Sequence, residues 1–156
     1  MTLPATTHRV AESTAEPVNR RIVDEMEEQV RYFADYPEEI ESRLWELDRE
    51  WDVERVLEAN AAVLALTGIA LGFVNRKLLL LPAVVAGFLL QHAFQGWCPP
   101  VPVFRRLGVR TQSEIDAERY ALKALRGDFQ GVDTSGRASS LGNAERAERA
   151  LSAALA

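Results

Sequence analysis

The sequence predicts an all-α protein organised around a transmembrane two-helix hairpin, with amphipathic cytoplasmic helices before and after it. Residues 78–104 hold no formally charged side chain when histidine is neutral, and residues 59–74 form a second uncharged run. Only residues 75–77 separate the two runs, so two helices on this turn must be antiparallel. Twenty helical residues are ~30 Å long, which matches the hydrocarbon core of a bilayer.

Composition narrows the possible functions. The 156 residues carry a net charge of −5, and no Lys/Arg stripe is present to neutralise phosphates, which argues against a nucleic-acid partner. The single cysteine, Cys98, excludes an intramolecular disulfide and a cysteine-rich metal cage. No phosphate-binding loop, dinucleotide fingerprint, zinc-protease motif or EF-hand pattern occurs, so we expect no cofactor, no metal site and no catalytic residue.

The N-terminal part divides into a disordered segment and an acidic helical pair. Residues 1–16 lack apolar periodicity and a signal-peptide apolar run, so we expect them to be disordered. Residues 17–58 show two apolar stripes at helical spacing, separated at Pro37. The stripes are Ile22, Met26, Val30 and Phe33, then Ile40, Leu44, Leu47 and Trp51.

The acidic pair is predicted to pack as helix on helix and to run into the first span. Residues 38–58 contain nine acidic residues against three arginines, whereas helices that lie on a membrane surface are usually basic. Residues 51–62 contain no proline or glycine, so we expect the second helix to continue into the membrane as one rod.

The hairpin itself is predicted over residues 59–104, with spans at about 59–75 and 78–97. A stripe of small residues predicts close helix packing and a homo-oligomer, the alternative being ordinary membrane composition. The stripe comprises Ala61, Ala65, Gly68, Gly72, Ala83 and Gly87. Three prolines within residues 99–102 are expected to end the second span in extended backbone.

After the spans, the sequence predicts interface anchors and one further cytoplasmic helix. Aromatic and basic residues favour the head-group level. The predicted anchors are Trp97, Phe104, Arg105 and Arg106. Within the cytoplasmic segment 105–127, Thr111-x-x-Glu114 is a capping box that opens a helix ending before Gly127, with Ile115, Leu122 and Leu125 inward. Residues 128–156 are expected to form a flexible linker and a weak helix.

Charge near the spans predicts the topology. Eight Lys or Arg residues lie outside the hairpin near its ends, and two lie in the turn. The positive-inside rule therefore places both termini in the cytoplasm.

A polar cluster and a thiol are the candidates for chemistry. Gln91, His92 and Gln95 are predicted to form a polar intramembrane cluster on the last turns of the second span, beside Cys98. No acidic residue lies within the predicted spans to orient the imidazole. Two interpretations of His92 remain, a structural residue or a functional one. The negative end of the helix dipole disfavours a thiolate at Cys98, although Arg105 and Arg106 could offset it; the thiol is therefore either structural or reactive.

The corner after the second span resembles a known family. A helical hairpin that ends in Gly96-x-Cys98-Pro99 and is followed by Leu107-Gly108 resembles the YgaP-like transmembrane domain family. Its members are small bacterial inner-membrane proteins, mostly of unassigned function, and some join the hairpin to a rhodanese domain. The resemblance covers about residues 54–108 and implies a hairpin in the inner (plasma) membrane, without the rhodanese domain of those members.

These observations favour a non-enzymatic, oligomeric membrane scaffold or adaptor in contact with the lipid bilayer. Residues 17–58 or 111–127 would bind a cytoplasmic protein partner. One alternative is a membrane-bound thiol carrier or redox partner, with Cys98 serving a soluble sulfurtransferase. The other is a soluble helical oligomer that buries the hairpin.

Overall fold

The computed structural model describes residues 7–130, 132 and 143–155, and all the regular structure in that part of the chain is helical. Its α-helices are α1 Arg9–Glu12, α2 Glu16–Asp35, α3 Ile40–Leu47, α4 Val53–Gly72, α5 Leu80–Gln95, α6 Val101–Arg106, α7 Gln112–Arg126 and α8 Asn143–Leu155. Short 3₁₀ helices lie at Pro37–Glu39 and Arg76–Leu79. The predicted all-α class is confirmed.

Two compact units divide the chain. The first unit comprises the described residues up to 25 together with residues 50–115, and it contains the hairpin. The second comprises residues 26–49 and the described residues from 116 onward.

Helices α4 and α5 are adjacent and pack as the predicted hairpin. Helix α4 begins after Asp52, whose side chain accepts the Arg55 N–H at 2.8 Å, and its last residue is Gly72. The Asn75 side chain then accepts the Lys77 N–H at 3.1 Å and opens the turn into α5. Gly96, at φ 68°, caps α5, whose last residue, Gln95, lies two residues before the predicted end of the second span at Trp97. Both Val53–Gly72 and Arg76–Gln95 are long and apolar enough to cross a membrane.

The expected single rod from the acidic helix into the first span is wrong. Helix α3 ends at Leu47, and α4 begins only at Val53. Asp52 is extended, at φ −71° and ψ 167°, and the Val53 N–H donates to the Arg110 carbonyl at 2.8 Å. An N-cap aspartate can separate two helices without proline or glycine. The break was not predicted because only proline and glycine were taken as helix breakers.

The expected extended backbone after the second span is also wrong. The prolines instead start α6, with Pro100 as its N-cap residue and Pro102 in its first turn. The first turn of a helix tolerates proline because its N–H groups have no partner within the helix. The chain therefore turns sharply at residues 98–100 and continues as helix.

Disorder was expected for residues 1–16, and the part that lies among the described residues is ordered. The four residues of α1 are held by tertiary contacts: Val10 is buried, and the Ser13 hydroxyl donates to the Gln95 carbonyl at 2.9 Å. The Arg9 backbone lies directly against Gly96, where a Cβ would also stand 2.8 Å from the Arg9 Cβ. Only glycine combines that close approach with a left-handed backbone. Residues 1–6 lie outside the described residues.

The capping box that opens α7 is confirmed. The Thr111 N–H donates to the Glu114 carboxylate at 2.7 Å, and the Glu114 N–H donates to the Thr111 hydroxyl at 3.3 Å. Gly127 follows the helix at φ 91°, as predicted. The predicted C-terminal helix forms as α8, whereas most of the predicted linker, residues 131 and 133–142, lies outside the described residues.

The second unit has a core of apolar side chains and ion pairs between its charged side chains. Its buried apolar residues are Phe33, Ile40, Leu44, Leu47 and Leu122. Arg43 donates to the fully buried Glu118 at 2.8 Å, and Arg119 pairs with Asp48 at 3.0 Å. Leu125, predicted to face inward, is exposed.

Trp51 of the first unit was predicted to belong to a buried apolar stripe, but it is exposed. The Arg55 guanidinium stacks on its ring, 4.5 Å from the ring centre.

Candidate functional site

The first unit concentrates its buried polar side chains where α4 begins and α5 ends, which we call the hairpin base. An apolar cluster fills this end of the unit. It consists of Val10, Val53, Leu57, Cys98 and Val101, with Leu89, Phe104 and Val109 packed against it. The sharp turns at residues 50–52 and 96–100 bring α1, α4 and α6 onto this cluster, and two polar networks lie beside it.

The first network joins three elements through one carboxylate. The Glu54 carboxylate on α4 lies 2.7 Å from His92 Nε2 of α5 and accepts a hydrogen bond from an Arg9 N–H of α1 at 2.9 Å. His92 is 4% exposed, and its Nδ1 atom is buried without a hydrogen-bond partner among the described residues. The contact with the Glu54 carboxylate, which can only accept, requires a proton on His92 Nε2.

Glu54 was not predicted as the partner of His92, because it precedes residue 59, the predicted start of the first span. A usable signal was present in the register of the hairpin. Glu54 and His92 each lie nineteen residues from Phe73, close to the middle of the turn. Residues equally distant from a short turn lie at the same level of two antiparallel helices.

The second network surrounds Arg105, which is 0% exposed. Its guanidinium donates to both carboxylate oxygens of Glu114, each at 2.7 Å. It also donates to the Val109 carbonyl at 3.0 Å, the Asn19 side chain at 3.0 Å and the Thr14 hydroxyl at 3.3 Å. Such complete hydrogen bonding is what allows a charged side chain to be buried.

The prediction that Arg105 anchors lipid head groups is therefore wrong. Helix α6, which the sequence argument did not foresee, turns this side chain toward Glu114 and away from the surface. Arg106 is exposed and its carbonyl accepts a hydrogen bond from Arg21 at 2.8 Å. Trp97 is exposed and Phe104 is half-buried against the apolar cluster.

The buried ion pair shifts the pKa of Glu114. Burial alone would raise the pKa of this carboxyl group, but hydrogen bonds from Arg105 and from the Thr111 N–H outweigh that effect. The pKa of Glu114 is therefore held below its usual value, and the group is ionised at neutral pH.

The predicted small-residue stripe separates into two halves. Ala61, Gly68 and Gly72 are buried and Ala65 is half-buried, all on α4. A Cβ on Gly68 would stand 2.6 Å from Pro82 Cδ, and one on Gly72 would stand 2.8 Å from Leu79 Cγ. These two glycines therefore lie against the facing helix of the same hairpin.

The α5 half of the stripe does not face α4. Ala83 and Gly87 are both exposed, and a Cβ on Gly87 would meet nothing within 4 Å. They do not pack against α4 within the hairpin, because the face of α5 that meets α4 contains Pro82 and Leu81 near Gly68. Their role in helix packing between copies stays a prediction.

The predicted polar cluster and the thiol also change position. Only His92 is buried, whereas Gln91 is half-buried and Gln95 is exposed. Cys98 lies beyond the end of α5, is buried in the apolar cluster, and has its thiol pKa raised by that burial. A raised pKa disfavours reactivity of the thiol.

The chemistry that this base supports is electrostatic and structural. The described residues contain no group of three side chains suited to a metal ion. A groove of about 230 Å³ beside the cluster has Asn60 and apolar residues of both hairpin helices in its lining. The first network fixes α1 to the hairpin, and the second joins α6 to Asn19 of α2 and Glu114 of α7, both through charge-assisted hydrogen bonds.

Comparison of the chain with protein-family models, curated proteins and solved structures finds no match. The resemblance to the YgaP-like family stays a prediction based on the Gly96 to Gly108 corner.

Proposed function

We propose that this chain is a small, non-enzymatic integral membrane protein whose hairpin crosses the inner (plasma) membrane. The supporting observation is the outward-facing apolar surface of both hairpin helices. Only 22% of the most apolar stretch of Val53–Gly72 is buried, and only 6% of that of Arg76–Gln95. A core helix of a soluble domain buries most of its apolar side chains, whereas a lipid-facing helix leaves them outside.

Both termini are proposed to be cytoplasmic. Eight basic residues flank the hairpin, and Arg76 and Lys77 lie in its turn. The difference favours translocation of the turn rather than the ends. This topology would place the acidic helices and α7 on the side where a cytoplasmic partner is available.

A scaffold or adaptor role is the reading that we favour. The hairpin base is occupied by structural ion pairs, and the apolar cluster holds the only cysteine. Gly68 and Gly72 are used within one chain, so contacts between copies would fall on the exposed Ala83 and Gly87 face of α5. A YgaP-like membership would agree with a small inner-membrane hairpin of this kind.

The thiol-carrier alternative receives no support from Cys98, because burial both covers the sulfur and raises its pKa. Its test is the labelling rate of Cys98 in the native protein against pH. We expect labelling to remain slow at neutral pH and to become fast only on denaturation; fast native labelling would restore the alternative.

The membrane proposal is tested by alkaline carbonate extraction of expressing cells. We expect the wild-type chain to remain in the membrane pellet. Leu90→Arg adds a charge to the exposed face of α5 and should reduce the pelleted fraction. Leu107→Arg, at an equally exposed residue outside the hairpin, is the matched control and should behave as wild type. Release of the wild-type protein would favour the soluble oligomer instead.

The topology is tested separately with reporter fusions at each end of the chain. A cytoplasmic reporter should be active and a periplasmic phosphatase inactive in both positions. An active phosphatase at either end would contradict the proposed orientation without affecting membrane insertion itself.

A further inference from the structure

Charged side chains define two levels along the hairpin. At the base, Glu54 pairs with His92, and Glu58 is exposed one turn further along α4. At the turn, Arg76 and Lys77 are exposed. Between these levels, residues 59–75 of the first helix and turn contain no charged side chain. The separation of the two levels is the thickness of hydrocarbon that the hairpin can cover.

That thickness is small on both helices. Fourteen helical steps separate Glu58 from Gly72, which corresponds to ~21 Å. On the second helix, the 3₁₀ turn and α5 together place His92 ~26 Å from Arg76. An average bilayer core is ~30 Å thick, so both estimates fall short by a few ångströms or more.

Side-chain direction sets which estimate applies. Side chains of an α-helix lean toward its N-terminus, so the Glu58 carboxylate can reach back toward the level of Glu54. The same lean carries charged groups at the start of the second helix toward the turn. Both effects allow the charges to reach water from inside the slab, which moves the covered thickness from ~21 Å toward ~26 Å.

Aromatic residues mark the base level independently. Trp51 and Trp97 are both exposed, immediately before α4 and immediately after α5. Tryptophan prefers the head-group region, where its ring is partly apolar and its N–H meets water. Both tryptophans therefore place the head-group region at the ends of α4 and α5, so the hydrocarbon boundary lies on the hairpin side of them.

We propose that the lipid partner of this hairpin is a bilayer with a hydrocarbon core thinner than average, about 21–26 Å, and that the hairpin thins a thicker bilayer around itself. The inference rests on the proposed membrane insertion. It assigns Glu58, Arg76 and Lys77 as the residues that limit the thickness.

The test reconstitutes the full chain into phosphatidylcholine vesicles with monounsaturated chains of about fourteen, eighteen or twenty-two carbons, which span the range from thin to thick cores. Flotation after a carbonate wash measures integration. External trypsin then measures the fraction with the turn protected at Arg76 and Lys77. We expect protection to be greatest in the thinnest vesicles and at least threefold lower in the thickest.

A matched pair of variants identifies the limiting residue. Glu58→Leu lengthens the uncharged run by about one helical turn (~5 Å), so the protection profile should shift toward longer lipid chains. Glu28→Leu removes an exposed acidic residue of α2 and should leave the profile unchanged.

The outcomes separate the two proposals. Integration in all vesicles with equal protection, a maximum in the thickest vesicles, or an unshifted Glu58→Leu profile would overturn the thin-bilayer inference alone. Failure to float with any vesicle after the carbonate wash would overturn membrane insertion and this inference with it.

Discussion

The two ends of the hairpin are held by different physics. At the base, buried and half-buried polar side chains pair across elements that are far apart in sequence, as Glu54 does with Arg9 and His92. At the turn, Phe73 and Val74 are 90% and 88% exposed, and Gly72 packs directly against Leu79. The turn is thus built from local sequence and close contact, and the base from long-range hydrogen bonds.

The difference teaches where specificity lies. A short turn between two apolar helices produces a hairpin in many sequences, because it needs only small residues that allow close approach. A buried network with several partners accepts one arrangement, since any other leaves charges unpaired. Changes at the base should therefore cost more than changes at the turn.

Arg105 gives the largest expected effect. Arg105→Met would leave the buried Glu114 carboxylate without its partner and should cost ~3–5 kcal/mol in the free energy of unfolding. Chemical denaturation in mild detergent measures it. Arg106→Met is the matched control, because Arg106 is the next residue and its side chain is exposed. This change should alter the free energy of unfolding by less than about 0.5 kcal/mol. Equal effects of the two changes would remove the distinction between base and surface.

The same pair predicts acid sensitivity. The pKa of Glu114 is lower when folded than its usual 4.5, so ionised Glu114 contributes stability above that value. This contribution is lost as pH falls through the lowered folded pKa. We expect the unfolding free energy to decrease on acidification below 4.5, with a smaller decrease in Glu114→Gln. Parallel pH curves for the two proteins would contradict the assignment.

Three glycines sharpen the comparison near the turn. Gly68→Ala should cost ~1–3 kcal/mol, because the new Cβ meets the rigid ring of Pro82 at 2.6 Å. Gly72→Ala should cost less, since it meets the flexible end of Leu79. Gly87→Ala has open space and should be neutral or stabilising by ~0.5–1 kcal/mol. Protease resistance of the hairpin measures this ranking, and a penalty at Gly87 equal to that at Gly68 would contradict it.

The side-chain caps at Asp52 and Asn75 give the smallest expected effect. They test whether the two ends of the hairpin differ in the strength of their local hydrogen bonds. Asp52→Ala at the base and Asn75→Ala at the turn each remove one side-chain hydrogen bond to a backbone N–H. Each should cost ~1 kcal/mol. Similar losses would place the difference between the ends in the networks, whereas a much larger loss at Asn75 would show that the turn also specifies the fold.

Local patterns made part of this structure predictable. The uncharged runs, the short turn and the Thr111–Glu114 capping box depend on neighbouring residues, and each produced the expected helices. Breaks that need a side-chain cap were missed, as at Asp52, because aspartate is common inside acidic helices. The helical Pro100–Pro102 segment was missed because proline suits both extended backbone and a first helical turn.

The candidate site was less predictable because its contacts are long-range. Arg105 looks like an interfacial arginine in sequence, and only α6 and α7 together turn it onto Glu114. Glu54 belonged to an acidic run whose other members are mostly exposed, and only the hairpin register singles it out. Val10 shows the same limit, since one valine among polar residues carries no periodicity.

The docking of α1 has a consequence for biosynthesis. Ser13 bonds to Gln95, which follows it by 82 residues, and Arg9 fits against Gly96. A four-residue helix has no stability of its own, so it must wait for that partner. At about 5–20 residues per second, Gln95 is synthesised roughly 4–16 s after Ser13. During that interval the hairpin has already begun to emerge, so α1 can dock only after α5 is complete, although α1 is synthesised earlier.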